Sequence, residues 1–238
     1  MRNVLRKSGV GIYEDTPVVE VQDRRVKTIR GSVSAEHIIL CTDYATTALG
    51  KLTDRLYHAQ TFLTLSAPLS DTQIKKIFPE KRCLVWDTEM VYRYYRMTGD
   101  NRLLMGAGNL LYTYARHAKH DYVGIVKKNL AYCAQHFPDL QINFEYMWPG
   151  LIGISKDLLP IAGRDPETTS IYHVTAAAGL PFAAALGNYS AEHIVERNTQ
   201  FDRYFSPKRS VPLGPIWNKV LGTPLTFAVS NFLKVSSL

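Results

Sequence analysis

The stretch WPGLIGISKDLLPIAG, from Trp148 to Gly163, and the sequence after it decide the fold of this chain. The strand-like FEYMWPGLIGIS is followed by the strand-like IYHV, and the small-residue run TAAAGLPFAAALGNYSAEHI leads from IYHV into a predicted helix. Pro181 lies where that helix begins, and proline suits a first helical turn because no donor is needed there. The sequence therefore predicts a strand that enters a helix through a short loop, and the N-terminus of such a helix favours negative charge.

The sequence between Leu56 and Gly108 predicts an antiparallel sheet. HAQTFLTLSAPL and CLVWDTEMVYRYYRMTGDNRLLMGAG alternate apolar and polar residues, with a tight turn over 98–101. A helix is predicted over 119–137, ended by Pro138. Its core face is predicted from the apolar residues at helical spacing, which are Val123, Val126, Leu130, Ala134 and Phe137.

The first part of the chain predicts further strands. GVGIYEDTPVVEVQDRRVKTIRGSVSAEHIILCT contains three strands separated by turns, because VVEVQ and VKTIRGSVSA alternate in polarity. HIILCT is instead a short continuous apolar run, which is typical of a strand buried on both faces in a parallel sheet. Together with the helices, these patterns predict an α+β protein.

Two stretches, Tyr92–Gly108 and Trp148–Ile194, resemble the second half of the D-amino-acid-oxidase-like family of FAD-dependent oxidoreductases. The resemblance is closest to its glycine-oxidase-like branch, whose members oxidise amino acids and polyamine-derived amines. It implies an incomplete, Rossmann-like FAD-binding domain, an antiparallel β-sheet substrate domain with flanking helices, and a C-terminal extension without a motif. The implied boundaries are 1–52 with 155–200 for the first domain, 53–154 for the second and 201–238 for the extension.

Members of this family open with a strand, a GxGxxG turn and a helix that hold the FAD pyrophosphate, since only glycines let backbone N–H groups close on it. No stretch of this sequence has that spacing. Gly9-Val10-Gly11 lacks the third glycine and a following helix, and Gly106-Ala107-Gly108 ends a strand. We therefore expect a family member without the N-terminal βαβ unit, in which FAD binding by this chain alone is weak or absent.

The resemblance also implies cofactor-binding positions near the start of the chain. Val18 would lie near the adenine, and Thr42, at the end of HIILCT, would lie near the dinucleotide. From the residues alone, Thr42 and Asp43 could instead cap the helix predicted for YATTALGKL. Both interpretations of Thr42 stay open at this point.

The loop before the last predicted helix is the candidate for the flavin edge. The family's glycine-rich loop, GxxGxG, corresponds here to Ala176, Gly179 and Pro181, so one glycine of three is present. Gly179, Leu180 and Pro181 are the candidate cofactor-binding residues, because unpaired N–H groups at a helix N-terminus can stabilise the anionic edge of a reduced flavin. The alternative is that Gly179 only permits the sharp turn from strand to helix.

The resemblance places the substrate on the strand that contains Tyr94 and Arg96. Strand alternation puts these two side chains on one face and Tyr95 on the other. Relatives use a tyrosine at the position of Tyr94 to hold a carboxylate, and an arginine can bind a carboxylate through two hydrogen bonds. Arg96 could supply that arginine, because Ile152 and Gly179 occupy the positions where amino-acid-oxidising relatives carry it.

Arg96 has an alternative partner in the acids of the same hairpin, Asp87 or Asp100. No side chain is assigned as catalytic, because the flavin accepts the hydride and the protein mainly orients the substrate. The resemblance therefore implies FAD-dependent transfer of a hydride from the C–N bond of a small-molecule amine or amino acid. The alternative function is a non-catalytic remnant or binding module that keeps the fold and has lost FAD.

Composition argues against several other classes of protein. The net charge of +7 is spread in small groups without a basic tail, so no nucleic-acid partner is predicted. The pair His117 and His120 lacks a third ligand, so no metal site is predicted. The cysteines lack disulfide or zinc spacing, so we expect buried thiols and a reducing, cytoplasmic compartment. These are Cys41, Cys83 and Cys133.

Two surfaces are predicted to meet partners. Without a βαβ unit, a sheet edge at HIILCT and IYHV would be exposed, so we expect a homo-oligomer or a partner chain that covers it. The C-terminal PIWNKVLGTPLTFAVSNFLKV is apolar but interrupted by polar residues and proline, so it falls short of a membrane span. Packing on the domain is the favoured prediction for this segment, and contact with a membrane surface is the alternative.

Overall fold

The structure, a computed structural model, describes residues 1–88, 93–108, 123–177 and 179–236. Within these ranges the strands are β1 (Val18–Gln22), β2 (Arg25–Thr28), β3 (Gly31–Ser34), β4 (Ile38–Leu40), β5 (Leu56–Pro68), β6 (Val85–Trp86), β7 (Tyr94–Met97), β8 (Arg102–Gly108), β9 (Phe144–Ser155), β10 (Ile161–Arg164) and β11 (Ile171–Thr175). The helices are α1 (Arg2–Lys7), α2 (Asp71–Ile77), α3 (Val123–His136), α4 (Leu180–Val195), α5 (Asp202–Phe205), α6 (Pro215–Val220) and α7 (Thr223–Ser236), with a 3₁₀ helix over Asp43–Leu49. The chain divides into two compact units, Met1–Leu52 with Ile161–Arg209 and Thr53–Pro160 with Ser210–Leu238.

The first unit contains a small sheet in which β4 and β11 are parallel neighbours, in the order β10-β11-β4. β11 is buried on both faces, because Tyr172 joins a cluster with α4 while Ile171 packs against Ile38 and Leu40. The parallel pairing predicted for HIILCT is confirmed. The two strands predicted before it form an antiparallel meander of three, β1-β2-β3, which begins at Val18, because VKTIRGSVSA divides into β2 and β3.

Two sequence-based expectations for this sheet are wrong. HIILCT is not buried on both faces, because β4 is an edge strand among the described residues and the side chain of Ile39 is half exposed. IYHV is not an edge, because β11 pairs with β10 on one side and with β4 on the other. Of the two strands, only β4 presents a sheet edge.

The second unit is built on an antiparallel sheet of order β6-β7-β8-β5-β9, as the alternating sequence predicted. The predicted turn over 98–101 joins β7 to β8. There the Thr98 hydroxyl donates to Asp100 Oδ1 at 2.6 Å, and its oxygen accepts the N–H of Arg102 at 3.0 Å. One face of this sheet is covered by α2 and α3, whose side chains enclose Tyr95, Met97 and neighbouring apolar residues of β8.

The predicted core face of α3 is wrong by part of a turn. Leu130 is exposed, whereas Asn129 and Cys133 are buried. Asn129 lies inside because its Nδ2 donates to Thr64 Oγ1 at 3.1 Å, and that hydroxyl in turn donates to the Met105 carbonyl at 3.1 Å. An apolar pattern could not indicate this polar anchor between α3 and the sheet.

Two further features concern the cysteines and the C-terminal segment. Cys133 is buried as expected, but Cys41 and Cys83 are exposed, so the prediction of three buried thiols is wrong for these two.

In the C-terminal segment, α7 buries Phe227 completely against β5 and β9, where it meets Tyr57 and other apolar side chains. In the parts of the chain that the structure describes, no helix combines the length and hydropathy that crossing a bilayer requires.

Candidate functional site

A hydrogen bond joins the carboxyl ends of β4 and β11. Because these strands are parallel neighbours, their carboxyl ends lie at one edge of the sheet, which is where open α/β sheets bind ligands. Asp43, which follows β4, accepts the N–H of Ala176, which follows β11, through Oδ1 at 3.2 Å. Both residues have a positive φ, 46° and 54°. The end of HIILCT and the loop before α4 are therefore held together.

Thr42 occupies the N-cap position of the 3₁₀ helix, but its side chain makes no capping hydrogen bond. Its hydroxyl instead lies 2.8 Å from the hydroxyl of Thr46. The interpretation of Thr42 as a side-chain cap is therefore wrong. Thr42 is exposed at the same strand end as Asp43, while Val18 lies in the separate meander, where it pairs with Thr28.

The N-terminus of α4 is exposed. Gly179 is its N-cap with a φ of 92°, and Pro181 lies in the first turn as predicted. Among the residues that the structure describes, a Cβ on Gly179 would meet only the Pro181 Cδ, at 3.8 Å, so these residues leave space beside this glycine. The first residues of α4 are exposed, namely Leu180, Pro181 and Phe182. The N–H groups of Leu180 and Phe182 lie in the first turn, where no carbonyl of the same helix can accept them. This end of α4 can therefore receive an anionic group.

Beneath this edge, a buried ionic cluster ties β11 to the loop before it. His173, fully buried, places Nε2 2.7 Å from Asp165 Oδ2. Asp165 Oδ1 also accepts the backbone N–H groups of Glu167 and Thr168, and lies 3.8 Å from Lys51 Nζ. Burial lowers the pKa of His173 below its ordinary value, while the hydrogen bond to Asp165 acts in the opposite direction.

The second unit carries a row of residues across one face of its sheet. Directly paired positions, one on each strand from β6 to β9, are Trp86, Tyr94, Gly106, Leu63 and Trp148. Paired residues share a face, so Tyr94 and both tryptophans lie on the side away from the core cluster that contains Tyr95. Both tryptophan side chains are exposed and Tyr94 is half-buried. The row forms an open, aromatic surface.

Gly106 provides the space for Tyr94 in this row. A Cβ on Gly106 would overlap the Tyr94 ring. The sequence drew attention to Gly106 only as part of a mismatched dinucleotide motif, and it assigned no role to Trp86. The signal that identifies both is strand register, which the sequence alone does not supply.

Arg96 lies on the same face as Tyr94, and it is exposed. Its guanidinium donates to the Met97 carbonyl at 3.3 Å. The two acids considered as alternative partners of Arg96 contact other residues. Asp100 forms an ion pair with Arg102 at 3.1 Å, and Asp87 accepts the backbone N–H of Arg93 at 3.1 Å. Within the described residues, Arg96 thus forms no ion pair with either acid. Tyr92, His117 and His120, singled out from the sequence, lie outside the described residues.

Curated relatives share sequence similarity with most of this chain. The probable oxidoreductase OrdL of Haemophilus influenzae is 27% identical over 197 residues, which cover 79% of this chain and 43% of the relative. The gamma-glutamylputrescine oxidoreductase of Escherichia coli is 27% identical over 186 residues, which cover 74% of this chain and 41% of the relative. The chain therefore spans less than half the length of these relatives.

Solved structures show the same fold. The glycine oxidase of Geobacillus kaustophilus superposes with a TM-score of 0.65 at 20% identity, over 87% of this chain and 55% of the oxidase. The family described as FAD dependent oxidoreductase, DAO, matches residues 1–197. Its members use FAD, and the α+β architecture predicted from the resemblance is confirmed by this shared fold. The chain therefore belongs to the DAO family of FAD-dependent oxidoreductases.

Proposed function

We propose that this chain supplies flavin-edge and substrate-binding parts of an oxidoreductase that removes a hydride from the C–N bond of a small amine or amino acid. FAD, when bound, accepts that hydride. The observation that carries the proposal is the hydrogen bond between Asp43 and Ala176, because it fixes the loop before α4 against the end of β4. This is the sheet edge at which the family resemblance implies the cofactor.

The cofactor would be held by exposed backbone rather than by charged side chains. Gly179, Leu180 and Pro181 would border the flavin edge, where the first-turn N–H groups and the helix dipole stabilise negative charge. Thr42 offers an exposed hydroxyl at the adjoining strand end, and Val18 would lie near the adenine. The space beside Gly179 supports this assignment, since a planar group can approach the backbone there.

The substrate would bind on the aromatic row of the second unit. Tyr94 offers a phenolic O–H to a carboxylate or an amine, and the flanking Trp86 and Trp148 offer apolar surface to the rest of the molecule. Arg96 is the cation on this face without an acidic partner among Asp87 and Asp100. On the same face, at the opposite edge strand β9, Ile152 is exposed and apolar, so a carboxylate would depend on Arg96.

Flavin content and turnover test this proposal. The 238-residue chain and a fusion that adds a GxGxxG-containing βαβ unit upstream would be incubated with FAD, separated from free FAD by gel filtration, and examined for visible flavin absorbance. We expect little flavin on the chain and a stoichiometric amount on the fusion, because the pyrophosphate contacts supply the central anchor. The loaded fusion should then oxidise amines or amino acids from a panel, with an artificial electron acceptor as the readout.

Two outcomes would contradict the proposal. A folded fusion that takes up no flavin would favour the alternative of a binding module that has lost FAD. A flavin-loaded fusion that oxidises no C–N substrate in the panel would retain the cofactor assignment and remove the reaction.

A further inference from the structure

The C-terminal helix α7 has its polar face inside and its apolar face outside. Over 223–233, where its side chains are described, the buried residues are Thr226, Phe227, Ser230 and Asn231, of which three are polar. Its outward residues include Leu225, Phe232 and Leu233, which are 51%, 61% and 48% exposed. Phe232 and Leu233 follow Leu225 by seven and eight positions, about two turns, so all three lie on one helical face, with the half-buried Val229 between them. The name apolar stripe is used for this face. A helix on a water-exposed surface has the opposite polarity.

Hydrogen bonds to backbone carbonyls explain why the polar face of α7 is buried. Thr226 Oγ1 donates to the carbonyls of Trp217, at 2.8 Å, and Gly222, at 2.9 Å. Asn231 Nδ2 donates to the carbonyls of Ser155, at 2.9 Å, and Lys156, at 2.8 Å. Rotation of α7 to bury its leucines would break the buried bonds from Asn231 to the Ser155 and Lys156 carbonyls, and a buried polar group left unpaired costs about 1 to 3 kcal/mol. The apolar stripe is thus held outward by the polar contacts beneath it.

A second pair of contacts holds the segment that precedes α6. Ser230 Oγ donates to the Pro212 carbonyl at 3.0 Å. Lys156, which is fully buried, donates from Nζ to the Leu213 carbonyl at 2.9 Å and lies 5.4 Å from the Phe227 ring centroid. These bonds fix both ends of the α6–α7 pair on the second unit.

The helix α6 extends the apolar surface. Ile216 and Val220 are 72% and 66% exposed, and Trp217 is 44% exposed. Gly222, with a φ of 76°, makes the turn into α7, and the bond from Thr226 to the Trp217 carbonyl ties the two helices together. The name hairpin surface is used here for the exposed apolar residues of α6 and α7, which are Ile216, Trp217, Val220, Leu221, Leu225, Phe232 and Leu233.

The charge around the hairpin surface favours an anionic partner. Residues 210–238 contain no aspartate or glutamate, Lys219 is exposed on α6, and the chain as a whole has a net charge of +7. A symmetric contact with a second copy would bring the two copies of Lys219 together without an acid of this segment to pair with them, which disfavours self-association through this surface. An anionic headgroup layer would meet Lys219, while its acyl boundary would receive Leu225 and Leu233.

We propose that the hairpin surface binds the surface of an anionic lipid bilayer, with α6 and α7 lying in the interface and no segment crossing it. Trp217 and Lys219 suit the headgroup level, since each combines an apolar body with a polar end. Binding through this surface is independent of flavin and of the C–N oxidation proposed above.

Vesicle flotation of the 238-residue protein tests this inference. The protein would be mixed with phosphatidylcholine vesicles, or with vesicles that also contain phosphatidylglycerol. We expect flotation with the anionic vesicles that weakens with added salt. The double variant Leu225→Ser/Leu233→Ser should reduce the bound fraction at least about tenfold, because two leucine side chains no longer enter the interface. The matched control, Ile29→Ser/Val195→Ser, changes residues that are 68% and 80% exposed in the first unit, and it should float like the parent protein.

Further measurements exclude misfolding and self-association as explanations. Lys219→Gln keeps the apolar stripe and should lower binding to anionic vesicles by about fivefold without changing the far-UV circular dichroism. Failure of the parent protein to float with anionic vesicles, or equal flotation of the parent and the Leu225→Ser/Leu233→Ser protein, would overturn the inference. A dimer in light scattering that this double substitution dissolves would assign the surface to a second copy and would also overturn it.

Discussion

The ring of Tyr94 lies over Gly106, its directly paired neighbour on the adjacent strand. The glycine has no side chain at the point where any other residue would place a Cβ against the ring. The position of Tyr94 on the aromatic row therefore depends on the absence of a side chain one strand away.

Substitution of Gly106 should destabilise the second unit. In Gly106→Ala the new methyl group overlaps the Tyr94 ring, so we expect a loss of about 1 to 3 kcal/mol in the free energy of unfolding. Gly99→Ala is the control, because a Cβ there has no atom within 4 Å in the same hairpin. Urea unfolding would measure the free energy of unfolding of both variants. Equal midpoints would show that the Tyr94 ring moves away from the new methyl group without loss of stability.

Tyr94→Phe should weaken substrate binding without unfolding the flavin-loaded protein. The ring and its packing on Gly106 remain, while one hydrogen bond is lost, so KM should rise by a factor that corresponds to about 1 kcal/mol. Tyr13→Phe, a change at an exposed tyrosine of the first unit, is the control. Steady-state kinetics across a panel of amines and amino acids would measure KM. An unchanged KM for every substrate would remove Tyr94 from the site.

In the fusion that carries the βαβ unit, Gly179→Val should abolish flavin uptake. A β-branched residue is strained at a φ of 92°, and its side chain would crowd the N-terminus of α4. Gly222→Val is a matched control, because Gly222 has a φ of 76° and no atom near its Cβ position, but it lies in the other unit. Both variants should lose a similar amount of stability, and only Gly179→Val should lose flavin. Normal flavin content in that variant would show that Gly179 serves the turn alone.

His173 predicts a pH dependence for the first unit. Burial lowers the pKa of His173, although its hydrogen bond to Asp165 acts in the opposite direction. A histidine whose pKa is lower in the folded state than its unfolded value of about 6.5 binds a proton more readily when unfolded. The free energy of unfolding should therefore be highest above about pH 6.5 and should fall as the pH decreases through that value.

The variant His173→Gln tests that dependence. Glutamine can keep a donor to Asp165 but does not titrate, so stability between neutral and mildly acidic pH should change less than in the parent protein. His37→Gln, at an exposed histidine, is the control and should retain the parent profile. Thermal unfolding at a series of pH values would measure how stability depends on pH in each protein. Parallel profiles for His173→Gln and the parent would show that His173 does not cause the pH dependence.

The exposed edge of β4 predicts self-association or capture of a partner strand. Ile39 is half exposed on this edge strand, and unpaired strand edges recruit other strands. Ile39→Lys should lower the average mass measured by light scattering at high protein concentration, because a charged residue blunts the edge. Ile29→Lys, at an exposed residue just after β2, should leave the mass unchanged. A monomeric parent protein at high concentration would argue against the prediction.

Sequence patterns predicted those elements in which apolar residues lie inside. The parallel type of pairing at β4, the turn over 98–101 and the entry of Pro181 into α4 were indicated by local composition, whereas the partner strand β11 was not. Asn129 and Asn231 show why other parts could not be predicted. Each is a polar residue that is buried because a hydroxyl or a carbonyl from a distant segment needs a donor. Periodicity identifies apolar faces, but it does not identify such partners.

The candidate substrate surface depended on information of a different kind. Tyr94 and Arg96 were found on one face because strand alternation is a local property. Trp86 and Trp148 join that face only through the pairing of five strands, and a shift of one residue in any pair would turn a side chain to the other side. Register is set by the complete sheet, so the row as a whole could not be predicted from its separate segments.

The division of each compact unit between two distant segments has a consequence for synthesis on the ribosome. β4 emerges long before β11, its parallel neighbour, and the first unit cannot be completed until residues 161–209 have been made. The second unit waits for residues 210–238, whose helix α7 buries Phe227. A nascent chain that has reached residue 160 therefore contains one segment of each unit and lacks the later segment that packs with it. During that interval its apolar strands are exposed and unpaired, and chaperones bind such strands.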